Sequence, residues 1–322
     1  MKPIIKVLMT LLVLVLILCS CSPGKTEKPA LTSVPTAQIP TPVSEAIELT
    51  DGLGRVVKMA GPARRIISLS PSNSEIIFAL GAGSALVARD DFTNFPEEAS
   101  TLPSIGGAGS EFNLESITGL NPDLILAAEI IPIEQIKALE DLKINVFMLS
   151  NPVDFDGLYA NLTAAGALTG KNDVALSLIS DIKARLAVIE DKVAGAENQP
   201  TVFYELDGTD PSKPWTTGPG TFINLLLEKA GGKNIASDLE GAWVQISQEE
   251  LIIRNPDIIL LGDSIYGVTA EQVATRPGWE NMSAVRKKRV VPINDDLVSR
   301  PGPRLIEGLE TVAQALHPEL FQ

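Results

Sequence analysis

The sequence predicts an α/β protein of two similar lobes with parallel sheets, bridged by a long α-helix, and three observations lead to this expectation. Residues 115–126 are closely similar to residues 249–260, so the chain carries an internal repeat. Short apolar runs alternate with amphipathic runs around both copies, an order typical of parallel sheets covered by helices. Between the copies, residues 155–193 contain no proline and place apolar residues at helical spacing, interrupted by Gly166 and Gly170, which predicts one long or a twice-broken helix.

Each copy of the repeat predicts a short helix, a turn and a buried strand. The turn follows from the Asn-Pro-Asp sequence, because proline disfavours right-handed helical geometry in the residue before it. The apolar run after the turn suits a strand of a parallel sheet that is buried on both faces. A glutamate heads each copy, Glu115 in the first and Glu249 in the second. A pseudo-symmetric fold therefore presents one carboxylate on each lobe, and the two form a candidate docking pair.

The first 21 residues have the layout of an export signal. Lys2 and Lys6 precede an apolar run at residues 7–18, which is shorter than the ~20 residues that a transmembrane helix needs. Residues 18–21, Leu-Cys-Ser-Cys, resemble the bacterial lipobox, so we expect Cys21 to be lipidated. The alternative is an uncleaved N-terminal anchor. Both place the protein at a membrane surface, facing the periplasm or the cell exterior.

The rest of the chain divides into a tether and a folded part. Residues 22–45 hold five prolines among small and polar residues, a composition that predicts a disordered tether. The following ~280 residues are enough for two modest cores. The predicted domains are an N-terminal lobe at residues 46–153, a linking helix at residues 154–196 and a C-terminal lobe at residues 197–322.

The N-terminal lobe is predicted to begin with a hairpin at residues 47–58, because Asp51-Gly52 favours a tight turn. Ser70 to Glu75 are expected to form a loop that opens a helix at residues 76–80, with Asn73 or Ser74 as its N-cap. The predicted strands of this lobe are residues 65–69, 85–88, 123–127 and 144–149.

The C-terminal lobe repeats this order around a loop rich in Gly and Pro at residues 207–220. Its predicted strands and helices are residues 201–205, 222–230, 289–293 and 304–316. Open α/β sheets bind ligands beyond the carboxyl ends of their strands, so a binding site is expected in the loops at those ends.

The composition disfavours several classes of function. The net charge of −14 argues against nucleic acid as a partner, because phosphates require a basic surface. His317 is the only histidine, and we expect it at the surface; Ser-His-Asp catalysis and multi-histidine metal sites are therefore disfavoured. No glycine motif for phosphate binding or for a nucleophile elbow occurs. We expect no catalytic residue, no metal site and no cofactor.

Aromatic residues in the predicted loops indicate an apolar ligand. Phe92 follows the strand at residues 85–88, and Trp215 and Trp243 lie in loops of the C-terminal lobe. A buried ring removes ~200 Å² of surface from water, which contributes about 5 kcal/mol before ordering costs. The alternative is that each ring covers the core of its own lobe. Their common placement in such loops favours the ligand.

Polar residues in similar loops complete the candidate ligand site. Asp296 and Arg300 lie between a strand and the last helix, where an ordinary solvated loop is the alternative. Ser72, Asn73 and Thr217 are further candidates in the loops that we predict around residues 70–75 and 207–220. The loops hold few lysines or arginines, which favours a large, weakly charged ligand over a multiply charged anion.

Four segments of the chain resemble the cobalamin-binding proteins of bacterial ABC importers, within the wider family that binds ferric siderophores and haem. These segments are residues 68–75, 113–115, 243–249 and 299–304. The resemblance extends from Ile47 to the C-terminus. A tryptophan that some members have shortly before the first docking glutamate is absent, and residues 106–110 stand in its place.

The resemblance implies a helical-backbone periplasmic-binding-protein fold, in which two Rossmann-like lobes are bridged by a long rigid α-helix and hold a corrinoid between them. It also implies that Glu115 and Glu249 dock on arginines of the membrane permease, which works with its ATPase. The residues that would enclose the corrinoid are Phe92, Trp215, Trp243, Asp296 and Arg300.

Two alternatives remain open at this point. A ferric siderophore or haem is the alternative ligand within the same class of transport protein. An exported enzyme that uses Glu115 and Glu249 for acid–base chemistry is the alternative class, and it requires paired carboxylates ~5 to 10 Å apart.

Overall fold

The computed structural model describes residues 46–107 and 112–321. The expectations for the export signal, for lipidation at Cys21 and for the tether concern residues outside these ranges. Within the ranges, no helix combines the length and the apolar composition that a membrane span requires.

Strands and helices alternate along most of the described chain. The strands are β1 (Ile47–Thr50), β2 (Val56–Met59), β3 (Ile66–Ser68), β4 (Leu86–Ala88), β5 (Leu124–Ala128), β6 (Asn145–Leu149), β7 (Thr201–Glu205), β8 (Trp215–Thr217), β9 (Lys233–Asn234), β10 (Trp243–Gln245), β11 (Ile258–Leu261) and β12 (Val290–Pro292). The helices are α1 (Pro71–Ala79), α2 (Glu97–Ser100), α3 (Leu114–Gly119), α4 (Ile133–Asp141), α5 (Phe155–Thr169), α6 (Asn172–Val193), α7 (Phe222–Lys229), α8 (Gln248–Arg254), α9 (Ala270–Ala274), α10 (Ser283–Arg286) and α11 (Leu305–Leu316).

Two four-stranded parallel sheets organise the fold. The first has the strand order β4-β3-β5-β6, and with α1–α4 it forms what we call the N-lobe. The second has the order β9-β7-β11-β12, and with α7–α11 it forms the C-lobe. The central strands β3, β5, β7 and β11 are buried along almost their whole length, and β5 and β11 are wholly apolar, as expected of parallel strands covered on both faces. The predicted α/β class with parallel sheets is confirmed.

The internal repeat forms the same local structure in both lobes. In each copy a short helix, α3 or α8, is followed within two residues by an asparagine in the left-handed region: φ is 48° at Asn121 and 43° at Asn255. A proline follows, and then an aspartate that accepts a hydrogen bond from the start of the neighbouring strand. Asp123 accepts from the backbone N–H of Arg65 at 3.0 Å, and Asp257 accepts from that of Thr201 at 3.2 Å. The repeat therefore encodes both the turn and the junction with the adjacent strand.

The segment at residues 154–196, for which the sequence predicts one long or a twice-broken linking helix, contains two helices. α5 ends at Gly170, whose φ of 68° lies in the left-handed region that favours glycine at a helix C-terminus. α6 then extends from α5 to the C-lobe, where Arg185 makes an ion pair of 2.7 Å with Glu310 of α11. The bridging element is thus the 22-residue helix α6.

One apolar core continues from the N-lobe into the C-lobe. Phe155 of α5 and Phe222 of α7 meet edge-on with ring centroids 5.5 Å apart. Two separate cores cover the opposite faces of the two sheets. The shared core includes Leu158, Leu162, Ile182, Leu226 and Leu309. Packed side chains join the lobes in addition to α6.

α1 begins earlier than the sequence predicts. Pro71 occupies its first turn, where the fixed φ of proline suits a helix start. Ser70 is the N-cap, and its hydroxyl accepts a hydrogen bond from the Asn73 N–H at 3.3 Å. The expected loop with Asn73 or Ser74 as N-cap is therefore wrong, and Ser72 and Asn73 lie in the first helical turn.

β8 and β10 occupy segments that the sequence predicts as loops. They pair in an antiparallel two-stranded sheet beside the C-lobe. A Cβ atom added at Gly218 would lie 2.0 Å from the carbonyl oxygen of Gly241, so the close approach of the two chains requires glycine. The strands are three residues long, too short for a periodic pattern to reveal them.

His317 is buried, so its expected surface position is wrong. Its side chain lies at the end of α11 and is 2% exposed. The Nε2 atom would be 2.8 Å from a Cβ added at Gly231, so the glycine makes room for the imidazole. The residues around His317 in the sequence do not indicate this contact, because Gly231 lies in the turn after α7.

Candidate functional site

A cleft of about 470 Å³ opens between the lobes at the carboxyl ends of β3, β5 and β6. Residues 70–73, 128–130 and 149–151, with Asn161, line it from the N-lobe side. Trp243 of β10 and residues 299–301 line it from the C-lobe side. This is the edge at which parallel α/β sheets present their ligand sites. Of the predicted ligand residues, the cleft brings together Ser72, Asn73, Trp243 and Arg300.

The N-lobe wall is built from amide and hydroxyl groups that the fold holds in place. Asn73 donates from Nδ2 to the carbonyl of Ala127 at 3.0 Å, which ties α1 to the end of β5. Asn161 donates from Nδ2 to the carbonyl of Ser150 at 2.8 Å. One N–H of each amide is therefore used by the fold, and the second N–H and the amide oxygen are the groups left to bond a ligand. Ser72 adds a hydroxyl 3.1 Å from that of Ser70.

Trp243 supplies the aromatic surface of the C-lobe wall. Its ring is 49% exposed, an unusual exposure for an indole in a folded chain. Trp215 lies on the neighbouring strand β8 and is 40% exposed. The register opposes Trp243 to Thr217 and Trp215 to Gln245, so strand alternation directs both rings to one face of the small sheet. Trp243 lines the cleft; Trp215 stands beside it, outside the lining.

Thr217 does not reach the cleft. Its side chain is fully buried, and its hydroxyl shares a hydrogen bond with that of Thr221, the N-cap of α7. Its carbonyl accepts from the Asn234 side chain at 2.8 Å. These contacts join β8 to α7 and β9, which explains why Thr217 faces the interior.

Arg300 lies at the centre of a polar network at the edge of the cleft. Its guanidinium donates to Glu75 at 3.0 Å and to the amide oxygen of Asn94 at 2.7 Å, both from the N-lobe. Within its own lobe it makes an ion pair of 2.6 Å with Asp296. The positive charge of Arg300 is therefore balanced by two carboxylates before any ligand is present.

Asp296 and Phe92 belong to this network and lie outside the lining of the cleft. Asp296 accepts a second hydrogen bond from the Asn94 amide at 3.1 Å. The carbonyl of Phe92 accepts from Arg300 at 3.5 Å, while its ring is 56% exposed. Both residues hold Arg300, and the Phe92 ring remains accessible beside the entrance.

Glu75 and Arg304 are members of the network that the sequence does not single out for the site. Glu75 is 3% exposed and also accepts two hydrogen bonds from Arg304, at 2.8 and 2.6 Å. Burial alone would lower the pKa of Arg304, but the hydrogen bonds and charge of Glu75 outweigh it and raise the pKa. A carboxylate in the otherwise apolar run after Asn73 is the only local signal of Glu75.

The charges along the cleft are few and largely compensated. Glu129 is the lining carboxylate, and it accepts from the backbone N–H of Asn151 at 2.9 Å. The lining contains no tyrosine, histidine, cysteine or methionine. Within residues 46–107 and 112–321, no group of three or more histidine, cysteine or acidic side chains is placed to hold a metal ion. The cleft thus suits a ligand recognised through hydrogen bonds and a flat apolar face.

The loop between β7 and Trp215 packs against a buried pair of carboxyl groups. Glu205 ends β7 with a fully buried side chain, and Asp263 follows β11 and is 4% exposed. Arg276 donates to Glu205 at 2.9 Å, and Asp263 accepts from the backbone N–H of Gly208 at 2.9 Å. Burial raises the pKa of Glu205 to about 7, with only partial compensation by Arg276; burial also raises the pKa of Asp263.

These pKa shifts predict a pH-dependent stability. Folded Glu205 holds its proton up to about pH 7, whereas the unfolded chain releases it near its ordinary value of 4.5, so the stabilisation is fully present below that value and is lost as the pH rises through 7. Glu205→Gln removes this loss. Between about pH 5 and pH 8, we expect the variant to gain on the order of 2 to 3 kcal/mol of unfolding free energy relative to the unchanged chain.

Urea denaturation across this pH range measures the difference directly. Glu310→Gln is the control, because Glu310 is about two-fifths exposed in its surface pair with Arg185. Parallel stability–pH curves for the Glu205 variant and the unchanged chain would contradict the assignment.

Glu115 and Glu249 occupy equivalent positions on the surface of the two lobes. Each is the second residue of its short helix, after the N-caps Asn113 and Ser247. Both are exposed, and neither makes an ion pair with any residue that the structure describes. Neither lines the cleft. Their placement suits contact with a surface outside the protein, as expected of a docking pair.

Comparison with known proteins places this arrangement in a family. The family model described as "Periplasmic binding protein" matches residues 66–297, which span both sheets. An uncharacterized ABC transporter substrate-binding lipoprotein of Bacillus subtilis is 34% identical over 281 residues, covering 86% of this chain and 87% of the relative.

Two further proteins indicate the range of ligands among similar chains. A cobalamin-binding protein of Halobacterium salinarum is 30% identical over 275 residues, covering 83% of this chain and 73% of the relative. The solved apo structure of a periplasmic haem-binding protein from Roseiflexus is 26% identical, with a TM-score of 0.72, and covers 80% of this chain and 99% of the solved one.

Proposed function

Because the chain belongs to the periplasmic binding protein family, we propose that it is the extracytoplasmic substrate-binding lipoprotein of an ABC importer and that its ligand is cobalamin or a related corrinoid. Export, the lipid anchor at Cys21 and the delivery of ligand to a membrane permease are parts of this proposal. The protein has no enzymatic role in it and needs no cofactor of its own.

The observation that carries the proposed ligand is the character of the cleft. A corrinoid presents a broad apolar ring face surrounded by amide groups. Trp243 offers an exposed indole to such a face, and Asn73, Asn161 and Ser72 offer hydrogen-bonding groups to the amides. The cation that lines the cleft, Arg300, is already balanced by Glu75 and Asp296, so the ligand needs no negative charge to pair with it.

Haem and ferric siderophores are the alternative ligands. The similarity to a haem-binding protein supports haem. The chemistry of the cleft argues the other way, because haem iron takes an axial His, Tyr, Cys or Met and the lining supplies none of these. Multiply charged siderophores would require cations that are not already paired.

The enzyme alternative loses its physical basis in this arrangement. Acid–base chemistry needs the two carboxylates at one substrate. Glu115 and Glu249 are exposed on the helices α3 and α8 of different lobes, and neither lines the cleft. They serve docking in the proposal.

Isothermal titration with cyanocobalamin and dicyanocobinamide tests the proposed ligand. We expect saturable binding of both at micromolar protein, because both present the same ring face and amides to the cleft. Haemin is titrated in parallel, and the absorbance of protein purified from iron-rich medium is recorded, since the chromophores differ. Absence of binding by both corrinoids would overturn the corrinoid proposal, and a co-purified haem or iron–siderophore spectrum would establish the alternative.

A further inference from the structure

The network around Glu75 connects parts of the chain that are far apart in sequence. Glu75 lies on α1 of the N-lobe, whereas Arg300 and Arg304 precede α11 of the C-lobe, 225 and 229 residues further on. Asn94 of the N-lobe adds hydrogen bonds to Arg300 and Asp296 across the same gap. All of these contacts cross from one lobe to the other, and they do so beside the cleft.

Burial makes these contacts depend on the separation of the lobes. The side chain of Glu75 is 2% exposed, that of Arg300 11% and that of Arg304 14%. Arg304 binds Glu75 through two parallel hydrogen bonds, a geometry that holds distance and angle together. A buried charge that loses its partner is strongly destabilising. The pairing is therefore satisfied at the observed separation and lost when the lobes move apart.

The surroundings of the network restrict alternative partners. The guanidinium of Arg304 lies 3.9 Å from the ring centroid of Phe95, so the ring covers one face of the cation. A second cavity of about 390 Å³, lined by Glu75, Phe78, Phe95 and Arg304 among others, lies behind the network. The pairing thus separates this cavity from the main cleft, which Arg300 lines.

We infer that Glu75 is a positioning residue that holds the C-lobe against the N-lobe before any ligand arrives, so that the width of the cleft and the orientation of Arg300 are set in advance. Only the consequence for binding rests on the proposed function. If the cleft already has the width at which the ligand binds, the two lobes need not be ordered on binding, and the observed binding free energy is not reduced by that step. Without Glu75, ligand binding itself must order the lobes, and the affinity for the ligand is therefore lower.

The distance between the lobes in the ligand-free protein tests the inference. Spin labels are attached at Lys137→Cys on α4 and Glu271→Cys on α9, both exposed, in a chain whose Cys19 and Cys21 are changed to serine. Those are the only native cysteines, so the labelling is specific. Double electron–electron resonance then reports the distribution of distances between the lobes. We expect a single narrow distribution for this chain and a clearly broader one after Glu75→Gln.

Two further variants sharpen the comparison. Glu97→Gln removes the same charge from an exposed position of the N-lobe that lines neither cavity, and we expect it to leave the distribution narrow. Arg304→Gln removes the C-lobe side of the pair without altering a residue that lines the main cleft, and we expect broadening. If Glu75→Gln does not fold, the distance distribution of Arg304→Gln tests whether the pair sets the separation of the lobes.

The outcomes separate the inference from the proposed function. A local structural role for Glu75 would lower the midpoint of thermal unfolding and leave the distance distribution narrow, which would overturn the inference. Cyanocobalamin is then added to each variant. If it binds, we expect it to narrow the distribution of Glu75→Gln with an affinity reduced at least several-fold. If it does not bind the unchanged chain, the corrinoid proposal fails, while the ligand-free distributions still decide the role of Glu75.

Discussion

Changing Glu115 and Glu249 together to alanine is expected to abolish the stimulation of the importer's ATPase by the loaded protein, with the affinity for ligand unchanged. The two carboxylates are exposed, occupy the second position of equivalent helices and lie outside the cleft. Removing one partner of a desolvated charge pair costs ~2 to 5 kcal/mol, so loss of both weakens the docked complex by ~10³-fold or more.

A matched control is available in the same two lobes. Glu134 of α4 and Glu271 of α9 are also exposed glutamates at the second position of a helix, one per lobe. Glu134→Ala with Glu271→Ala removes the same charge, and we expect stimulation of the ATPase to persist. The measurement is ATP hydrolysis by the permease complex in proteoliposomes, with ligand affinity determined by titration. Weaker ligand binding by the Glu115 and Glu249 double variant would place these residues in the ligand site instead.

Trp243→Ala is expected to produce the largest loss of ligand affinity from a single substitution. About half of the indole is exposed in the ligand-free cleft. Covering ~100 Å² of that surface contributes about 2.5 kcal/mol at ~25 cal/mol/Å², which corresponds to ~70-fold in the dissociation constant. The readout is titration of the unchanged chain and the variant with cyanocobalamin.

The loss of affinity in Trp243→Ala is compared with the effect of changing two other aromatic residues. Tyr266→Ala is the control, because Tyr266 is a 79% exposed aromatic residue of the C-lobe that does not line the cleft. Trp215→Ala tests the second predicted indole, and its position beside the lining predicts a smaller loss than Trp243→Ala. An affinity of Trp243→Ala equal to that of the unchanged chain would contradict the role of the ring.

The fold was largely predictable because its signals are local. A strand buried on both faces appears as an apolar run, and the Asn-Pro-Asp turn in each copy of the repeat carries its own conformational preference. The structure bears this out in α3 and β5, and again in α8 and β11. The break at Gly170 and the start of α1 at Pro71 follow equally local rules, which a pattern of apolar spacing alone does not express.

The candidate site was predictable only in part. Ser72, Asn73, Trp243 and Arg300 line the cleft, while Thr217 faces the interior. Residue type and position after a strand indicate which end of a sheet a side chain approaches. They do not indicate whether a neighbouring element covers that side chain. Thr217 is paired directly with Trp243, and it is buried because β8 packs against α7 and β9 at this point.

Local sequence patterns were enough to predict the two-lobed α/β fold, the equivalent positions of Glu115 and Glu249, and a chain without familiar catalytic motifs. Each of these three features depends on contiguous residues or on the internal repeat. The contacts of Glu75 with Arg300 and Arg304 became visible only in the folded protein, as did the fact that one tryptophan lines the cleft while its neighbour does not. Contacts between residues more than 200 positions apart depend on how the completed lobes pack, and no local propensity encodes that packing.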